Sequence, residues 1–227
     1  MLRQLLSGGM GFMDILVYVL SAATVILLTL PIHEFAHGYT AVKLGDNTPR
    51  WQGRLSLNPL AHLDPIGSLC ILFFGFGWAK PVQVNHNNFR NPKRDMAIVA
   101  LAGPLSNIVL ALISLICANS VLALYMSVLN LPALVYVYYF FQYISVINVS
   151  LAVFNLIPIP PLDGSRILSA LLPYKQYYAL MRYERYIYFG LLALLWIGAL
   201  DVPLDFLSNV VMSGISFIAG LPFRALM

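Results

Sequence analysis

Long apolar runs separated by short polar stretches dominate the pattern along the chain. A transmembrane helix needs about 20 mostly apolar residues, and segments 14–43, 95–127, 132–157 and 186–222 meet this requirement. Asp201, Pro203 and Asp205 interrupt the last segment, so we divide it into spans at 180–200 and 204–222. The pattern predicts an all-α polytopic membrane protein with about five transmembrane helices.

A shorter apolar run lies between the first two spans. Ile66 to Ala79 is too short to cross a bilayer comfortably and predicts a re-entrant or interfacial piece. Val82 to His86 alternates apolar with polar residues, which is typical of a strand. We therefore predict a re-entrant or β-hairpin segment near 66–88 that can pair with an unwound substrate by edge addition. The alternative is a packed interfacial loop without substrate contact.

Composition excludes an ordinary soluble protein. Hydrophobic residues make up 60% of the 227 residues, charged residues make up 10%, and the mean hydropathy is +0.80. Cys70 and Cys117 lie in apolar surroundings without a spaced framework, so we expect neither disulfides nor a thiolate metal site. The run Ile15 to Ile32 lacks a cleavage site of small residues and is interpreted as retained. We expect one membrane-embedded domain over residues 1–227.

Positive charges predict the orientation, because short cytoplasmic loops hold most Lys and Arg. Eleven basic residues fall in the loops between spans one and two and between spans three and four: Lys43, Arg50, Arg54, Lys80, Arg90, Lys93, Arg94, Arg166, Lys175, Arg182 and Arg185. These two loops therefore share the cytosolic side, with the N-terminus out and the C-terminus in. The net charge of +4 follows from this topology and does not indicate a nucleic-acid partner.

The stretch HEFAH at His33 to His37 brings candidate chemistry to the end of the first span. Residues four apart on a helix share a face, so His33 and His37 can direct their imidazoles at one metal ion. Glu34 lies on the flank of this face, where it can reach a water at the metal. Neutral imidazoles favour zinc. The alternative is a polar helix end that faces headgroup water.

A hydrolytic zinc site needs a third protein ligand, and Asp163 in NLIPIPPLDG is the candidate. The charge pattern places the end of span three on the same side as HEFAH. Pro158, Pro160 and Pro161 cannot continue a helix, so we expect an extended chain after Leu156 that carries Asp163 back to the metal before a turn at Gly164. The alternative is that Asp163 caps a helix over Ser165 to Leu172.

HEFAH and NLIPIPPLDG together resemble the paired signature of the site-2 protease family, the intramembrane zinc metalloproteases. The resemblance extends through AGPLSN (Ala102 to Asn107) and GFGWAKPVQVN (Gly75 to Asn85), so residues 14–172 are expected to form the catalytic core and 173–227 the C-terminal helices. Many members carry an inserted PDZ domain, a CBS pair or an extra span before HExxH. We expect a compact member without these additions.

The resemblance implies specific roles for individual residues. His33, His37 and Asp163 would bind one Zn²⁺, and Glu34 would be the general base. Asn155 would position the substrate or stabilise the oxyanion. Gly75 and Gly77 would lie in a membrane-embedded hairpin that contacts the substrate beside the active site.

The leading hypothesis is therefore an intramembrane endopeptidase of the plasma (inner) membrane. Its substrates would be transmembrane segments, such as signal-peptide remnants or anti-sigma-type regulators. Control would come from substrate availability or from a regulatory membrane partner. A non-catalytic zinc scaffold or chaperone is the alternative, although an intact Glu34 argues against it. Metal transport fits less well, because the polar residues gather at one side of the membrane.

Four further polar residues are not assigned to the metal site. We interpret Asn107 and Asn148 as helix-packing residues, with a contribution to the site as the alternative for Asn148. His62 and His86 are interpreted as solvated loop histidines outside the metal set, and the alternative for either is a transient ligand or proton carrier.

Overall fold

The computed structural model describes residues 11–74, 79–127 and 129–223, and these residues form helices and loops without a β-strand. In chain order the helices are α1 (Phe12–Lys43), α2 (Thr48–Trp51), α3 (Pro59–His62), α4 (Pro65–Phe74), α5 (Pro92–Ser127), α6 (Ala133–Asn155), α7 (Asp163–Leu171), α8 (Tyr174–Arg182), α9 (Glu184–Trp196) and α10 (Asp201–Gly220). Single 3₁₀ turns lie at His86–Asn88 and Leu221–Phe223.

Four helices in the described part of the chain are long and apolar enough to cross a membrane: α1, α5, α6, and α10 with the turn that follows it. They coincide with four of the predicted spans, so the all-α polytopic architecture is confirmed. The region predicted as the span 180–200 contains α9, whose 13 residues rise only about 20 Å. That length is short of a hydrocarbon core of about 30 Å, and a fifth span stays a prediction.

The segment predicted to be re-entrant begins as a helix. α4 covers Pro65–Phe74, and residues 79–85 then run without regular structure to the 3₁₀ turn at His86–Asn88. The described residues of this segment form no hairpin strand. Gly75 and Gly77 lie outside the described residues, and the re-entrant path stays a prediction.

A wide turn interrupts α1 just before the HEFAH motif. Val25–Thr29 is π-helical, and the Leu30 N–H donates to the Val25 carbonyl five residues back. Pro31 follows, and a proline ring inside a helix clashes with the carbonyl four residues earlier. Widening this turn relieves that clash and rotates the helical face that comes after it. The face carrying His33 and His37 thereby points into the bundle, where both side chains are buried.

α6 lies at the centre of the bundle, since residues of α6 belong to both main apolar clusters of the protein. The first cluster joins α1, α4 and α6 through Tyr18, Ala22, Val25, Leu30, Ile71, Ile144, Ile147 and Leu151. The second joins α5, α6 and α10 through Ala111, Leu115, Val149, Val153, Ile215 and Ala219. Asn148 donates to Thr29 Oγ1 at 3.3 Å and to the Ile144 carbonyl at 2.9 Å, so this buried amide bonds across α1 and α6.

The outward faces of the long helices are apolar. Leu28 of α1, Val109 of α5 and Phe206 of α10 are all more than half exposed. Contiguous apolar surface of this kind is costly in water and is the surface that lipid requires. The chain is an integral membrane protein.

Candidate metal centre

Three side chains from two helices converge at one point. His33 Nε2 and His37 Nε2 lie 3.0 Å apart, and Asp163 Oδ2 lies 3.3 Å from the first and 3.2 Å from the second. Each residue offers one ligand atom within 4.8 Å of the others. Two imidazole nitrogens and one carboxylate oxygen form a donor set that suits a catalytic Zn²⁺ with an open position. The predicted ligand trio is therefore brought together by the fold.

Both imidazoles are oriented from behind by α5. His37 Nδ1 lies 2.7 Å from the Val99 carbonyl oxygen, and His33 Nδ1 lies 3.3 Å from Asn107 Oδ1. A carbonyl oxygen can only accept, so each Nδ1 carries the proton and donates it. Each Nε2 then presents a lone pair to the shared point, which is the arrangement that orients metal-binding histidines. The donor set and its support both fit a zinc ion.

α5 passes directly beneath the imidazole pair at Gly103. A Cβ built on this glycine would fall well inside 3.0 Å of both Nε2 atoms. The backbone of α5 therefore lies at the floor of the site, and a side chain at this position would occupy the space between the imidazoles. Gly103 permits the close approach of α5, and the group it approaches is the candidate metal centre.

Asp163 reaches the histidines because α7 begins at that residue. The first turn of α7 contains Asp163, and the carboxylate contacts the imidazoles. Burial favours the neutral carboxyl, but imidazoles protonated at Nε2 lower the pKa of Asp163 below its usual range through their charge and hydrogen bonds, and a cation at that point would favour the carboxylate in the same way. The carboxylate is therefore ionised and suited to a cation. The alternative role as a cap for a helix over Ser165 to Leu172 is not what the structure shows.

The path between α6 and α7 differs from the expected extended segment. Residues 156–162 form successive turns, with hydrogen bonds from Ile159 N to Ile157 O and from Leu162 N to Ile159 O. Gly164 lies inside α7, where a Cβ would meet the Leu156 and Ile157 carbonyl oxygens. Its role is thus close backbone approach and not a turn, because the tight packing of α7 on this loop places Asp163 at the metal centre.

Glu34 lies on the flank of the histidine face and is held by the chain that follows α4. Its Oε2 accepts a hydrogen bond of 2.8 Å from the Val82 backbone N–H, and both residues are buried. The segment carrying Val82 is fixed in turn by Asp46, whose carboxylate accepts from Asn85 N at 2.7 Å and Asn88 Nδ2 at 2.7 Å. Asp46 thus ties the end of α1 to the segment that touches Glu34.

A cavity of about 640 Å³ opens in front of these residues. His33, Glu34, His37 and Asp163 line it together with Asn155. Asn155 Nδ2 donates to the Leu151 carbonyl at 3.0 Å, so one N–H of this amide is engaged within α6. Asn155 therefore shares the cavity with the metal centre, and its role in the reaction remains a proposal.

The predictions for His62 and Asn107 need correction. His62 is fully buried, not solvated, and its Nε2 lies 2.7 Å from the Ser56 carbonyl. Asn107 does more than pack, since it contacts His33. Gly103 and Asn107 are four residues apart in AGPLSN, and this shared helical face was the available signal. His86 is exposed, as expected.

The sequence is similar to known peptidases. The sequence profile of Peptidase family M50 matches residues 119–198. YwhC of Bacillus subtilis, named as a predicted zinc metalloprotease, is 43% identical over 162 residues, which cover 70% of this chain and 74% of YwhC. Rip2 of Mycolicibacterium smegmatis, named in the same way, is 32% identical over 143 residues, covering 61% of this chain and 52% of Rip2. No solved structure matches the chain.

The chain belongs to peptidase family M50, the site-2 protease family. It is a metalloprotease, and zinc is the metal that its relatives' names give. The residues from α1 and α7 that gather at the metal centre fit that metal.

Proposed function

We propose that the chain is an intramembrane endopeptidase that hydrolyses peptide bonds within transmembrane segments of other membrane proteins. The observation that carries this proposal is the convergence of Glu34 with His33, His37 and Asp163 on one cavity inside a membrane helix bundle. Water at membrane depth requires a polar cavity lined by protein. The apolar walls of the same cavity suit an apolar polypeptide.

His33, His37 and Asp163 would hold the Zn²⁺. When bound, Zn²⁺ supplies Lewis acidity, which acidifies water and polarises a carbonyl group. The contacts from Val99 O and Asn107 Oδ1 to the two Nδ1 atoms keep both imidazoles in the tautomer that presents Nε2. Asp163 balances part of the positive charge with its carboxylate.

Glu34 is the proposed general base. Val82 N–H holds Oε2, which leaves Oε1 to accept a proton from the attacking water. The same carboxyl then delivers that proton to the nitrogen of the leaving amine, and proton transfers of this kind contribute about 10²–10⁴-fold to rate. The second N–H of the Asn155 amide is proposed to donate to the oxyanion, since preorganised donors stabilise developing charge.

The substrate must unwind before it can react, because helix carbonyls are occupied in hydrogen bonds four residues apart. Residues 79–85 lack regular structure and run along the cavity at Ala79, Pro81 and Val82. We propose that an unwound substrate pairs with this segment, and that Gly75 and Gly77, which lie outside the described residues, also contact the substrate. Replacing Gly75 or Gly77 by Val should then lower cleavage while bound zinc stays unchanged.

The distribution of basic residues supports the proposed orientation, with the end of α1 and the start of α7 on the cytosolic side. With the predicted fifth span in the region of α9, a reporter fused after α10 should be active in the cytosol of a bacterial host, whereas four spans would place it outside. Location in the plasma membrane, substrates such as signal-peptide remnants or anti-sigma-type regulators, and a regulatory membrane partner belong to the same proposal. Recovery of the chain alone from gently solubilised membranes would contradict a stable partner.

The experiment that tests the function compares wild type with Glu34→Gln in lipid vesicles containing single-span substrates. We expect the wild type to cleave, and Glu34→Gln to lose activity by at least about 10²-fold while keeping one zinc per chain. Asp163→Ala should lose both zinc and cleavage. Normal cleavage by Glu34→Gln would contradict the proposed mechanism, and zinc without cleavage of any substrate would favour the scaffold alternative.

A further inference from the structure

Three arginines line the cavity that contains the metal centre. Arg166 lies in α7, three residues after Asp163, while Arg182 ends α8 and Arg185 lies in the first turn of α9. Residues three apart on a helix are neighbours on its surface, so Arg166 lies beside the candidate ligand. The turn between α8 and α9 brings the other two arginines to the same cavity.

These arginines differ from basic side chains elsewhere in the protein that donate hydrogen bonds to backbone carbonyls. Arg54 donates to the Ala61 carbonyl, and Lys93 Nζ donates to the Leu172 carbonyl at 2.5 Å. Arg166, Arg182 and Arg185 have no carboxylate of the described residues within 4.0 Å. Glu34, Asp163 and Glu184 also line the cavity. The first two are partly committed, since Glu34 accepts from Val82 and Asp163 contacts the histidines, and Glu184 offsets one of the three arginine charges without an ion pair to them within 4.0 Å among the described residues. The guanidinium groups are therefore available to an external anion.

The remainder of the α9 wall is apolar and periodic. Tyr188, Leu191, Leu192 and Leu195 line the cavity at helical spacing, and Arg185 lies one turn before them on the same stripe. From residue 185 to residue 195 the helix rises about 15 Å, which an extended peptide covers in about five residues. A substrate lying along this wall places apolar residues on the leucines and its next residues at the arginines.

We propose that the cavity selects substrates carrying an acidic residue within about five residues of the scissile bond, and that Arg166, Arg182 and Arg185 bind its carboxylate. This proposal rests on the proposed proteolytic function and names the substrate class for the same site. Guanidinium groups bind carboxylates bidentately. Cytosolic flanks of membrane proteins are normally rich in Lys and Arg, so the arginines would repel most segments and favour the less common acidic flank.

A polypeptide fits this position better than a lipid headgroup. The three arginines line the same cavity as His33, Glu34 and Asp163, where the peptide bond must lie for the reaction. Repulsion between like charges and attraction between opposite charges at a binding site mainly determine which substrate binds. Substrate charge, and not lipid charge, is therefore expected to control the rate.

The test uses purified wild-type chain in phosphatidylcholine vesicles with one single-span substrate in three forms. The forms carry Asp, Asn or Lys at one position, which is chosen by an aspartate scan around the scissile bond. Wild type should cleave the Asp form about fivefold faster than the Asn form, and the Asn form faster than the Lys form. The double variant Arg182→Glu/Arg185→Glu should reverse the order of the Asp and Lys forms while retaining zinc.

A matched double variant, Arg50→Glu/Arg90→Glu, makes the same charge change at exposed positions that do not line the cavity. It should keep the wild-type order. Equal wild-type rates for the three forms, or reversal by the control variant as well, would overturn the proposal. Rates that respond to added phosphatidylglycerol and to the arginines but not to substrate charge would assign the arginines to lipid headgroups instead. A zinc-loaded wild type that cleaves none of the forms would refute the proposed function itself.

Discussion

The backbone N–H of Val82 donates a 2.8 Å hydrogen bond to Glu34 Oε2. The two residues are 48 positions apart in the chain, and the bond joins the candidate base on α1 to the segment that follows α4. A carboxylate held at one oxygen has a fixed direction for proton transfer at the other. The segment 79–85 therefore orients the base and also forms a wall of the cavity.

Replacing Val82 by Pro removes this donor while keeping an apolar residue that fits an extended chain. We expect cleavage to fall by about tenfold or more, because a lost hydrogen bond to a charged group costs roughly 1.5–3 kcal/mol. Zinc content should stay at the wild-type level. Gln83→Pro is the matched control, since Gln83 is exposed and adjacent. Equal activity in both variants would show that the Val82 N–H does not orient Glu34.

A side chain at position 103 should destroy the metal centre. Gly103→Ala places a methyl group between the two imidazoles, because the added Cβ would fall well inside 3.0 Å of both Nε2 atoms. We expect zinc per chain to fall from about one to near zero. Gly214→Ala is the control, since a Cβ there meets nothing within 4 Å. Zinc retention by Gly103→Ala, measured by elemental analysis, would contradict the close approach of α5.

Asn107 should tune zinc affinity without touching the metal. Asn107→Leu removes the acceptor for His33 Nδ1, and loss of such a support typically costs 10–100-fold in metal affinity, so we expect a weakening of about that size. Asn148→Leu removes a buried amide that bonds to Thr29 and Ile144 instead. This control should lower stability but leave zinc affinity unchanged. Competition with a chelator measures both variants, and equal affinities would contradict a specific role for Asn107.

Asp46 should contribute to stability in a pH-dependent way. Burial alone favours the neutral carboxyl, but hydrogen bonds from Thr48, Asn88 and Asn85 outweigh it and lower the pKa of Asp46. A lowered folded-state pKa means that the stabilisation is present above the unfolded pKa of about 3.9 and is lost as pH falls through the folded value. Asp46→Asn should therefore cost roughly 1–3 kcal/mol at pH 7.

The measurement is the melting temperature in detergent from pH 7 to pH 3. The difference in melting temperature between wild type and Asp46→Asn should decrease below about pH 4. Asp205→Asn is the control, because Asp205 is exposed on α10, and it should follow the wild type throughout. A gap that is constant with pH would show that the carboxylate charge of Asp46 is not what stabilises this loop.

The class of the fold and the candidate ligand trio could both be predicted from the sequence. Four spans could be predicted from the length of the apolar runs. Backbone N–H and C=O groups in lipid must form hydrogen bonds within the segment, and a helix of about 20 residues achieves this across a bilayer. His33, Glu34 and His37 are local in the sequence, so helical periodicity alone places them together. Asp163 was predicted because the charge pattern put both motifs on one side of the membrane.

The neighbours that complete the candidate site became apparent from the packing of the helices. Gly103 and Asn107 reach the histidines from α5, Val82 reaches Glu34 after α4, and Arg185 faces the cavity from α9. These contacts join residues separated by tens of positions. In the sequence the contacting residues look only like a small residue (Gly103), an amide (Asn107) and a loop residue (Val82). Local periodicity cannot assign such contacts, because they depend on how the helices pack and not on the order of residues within any one of them.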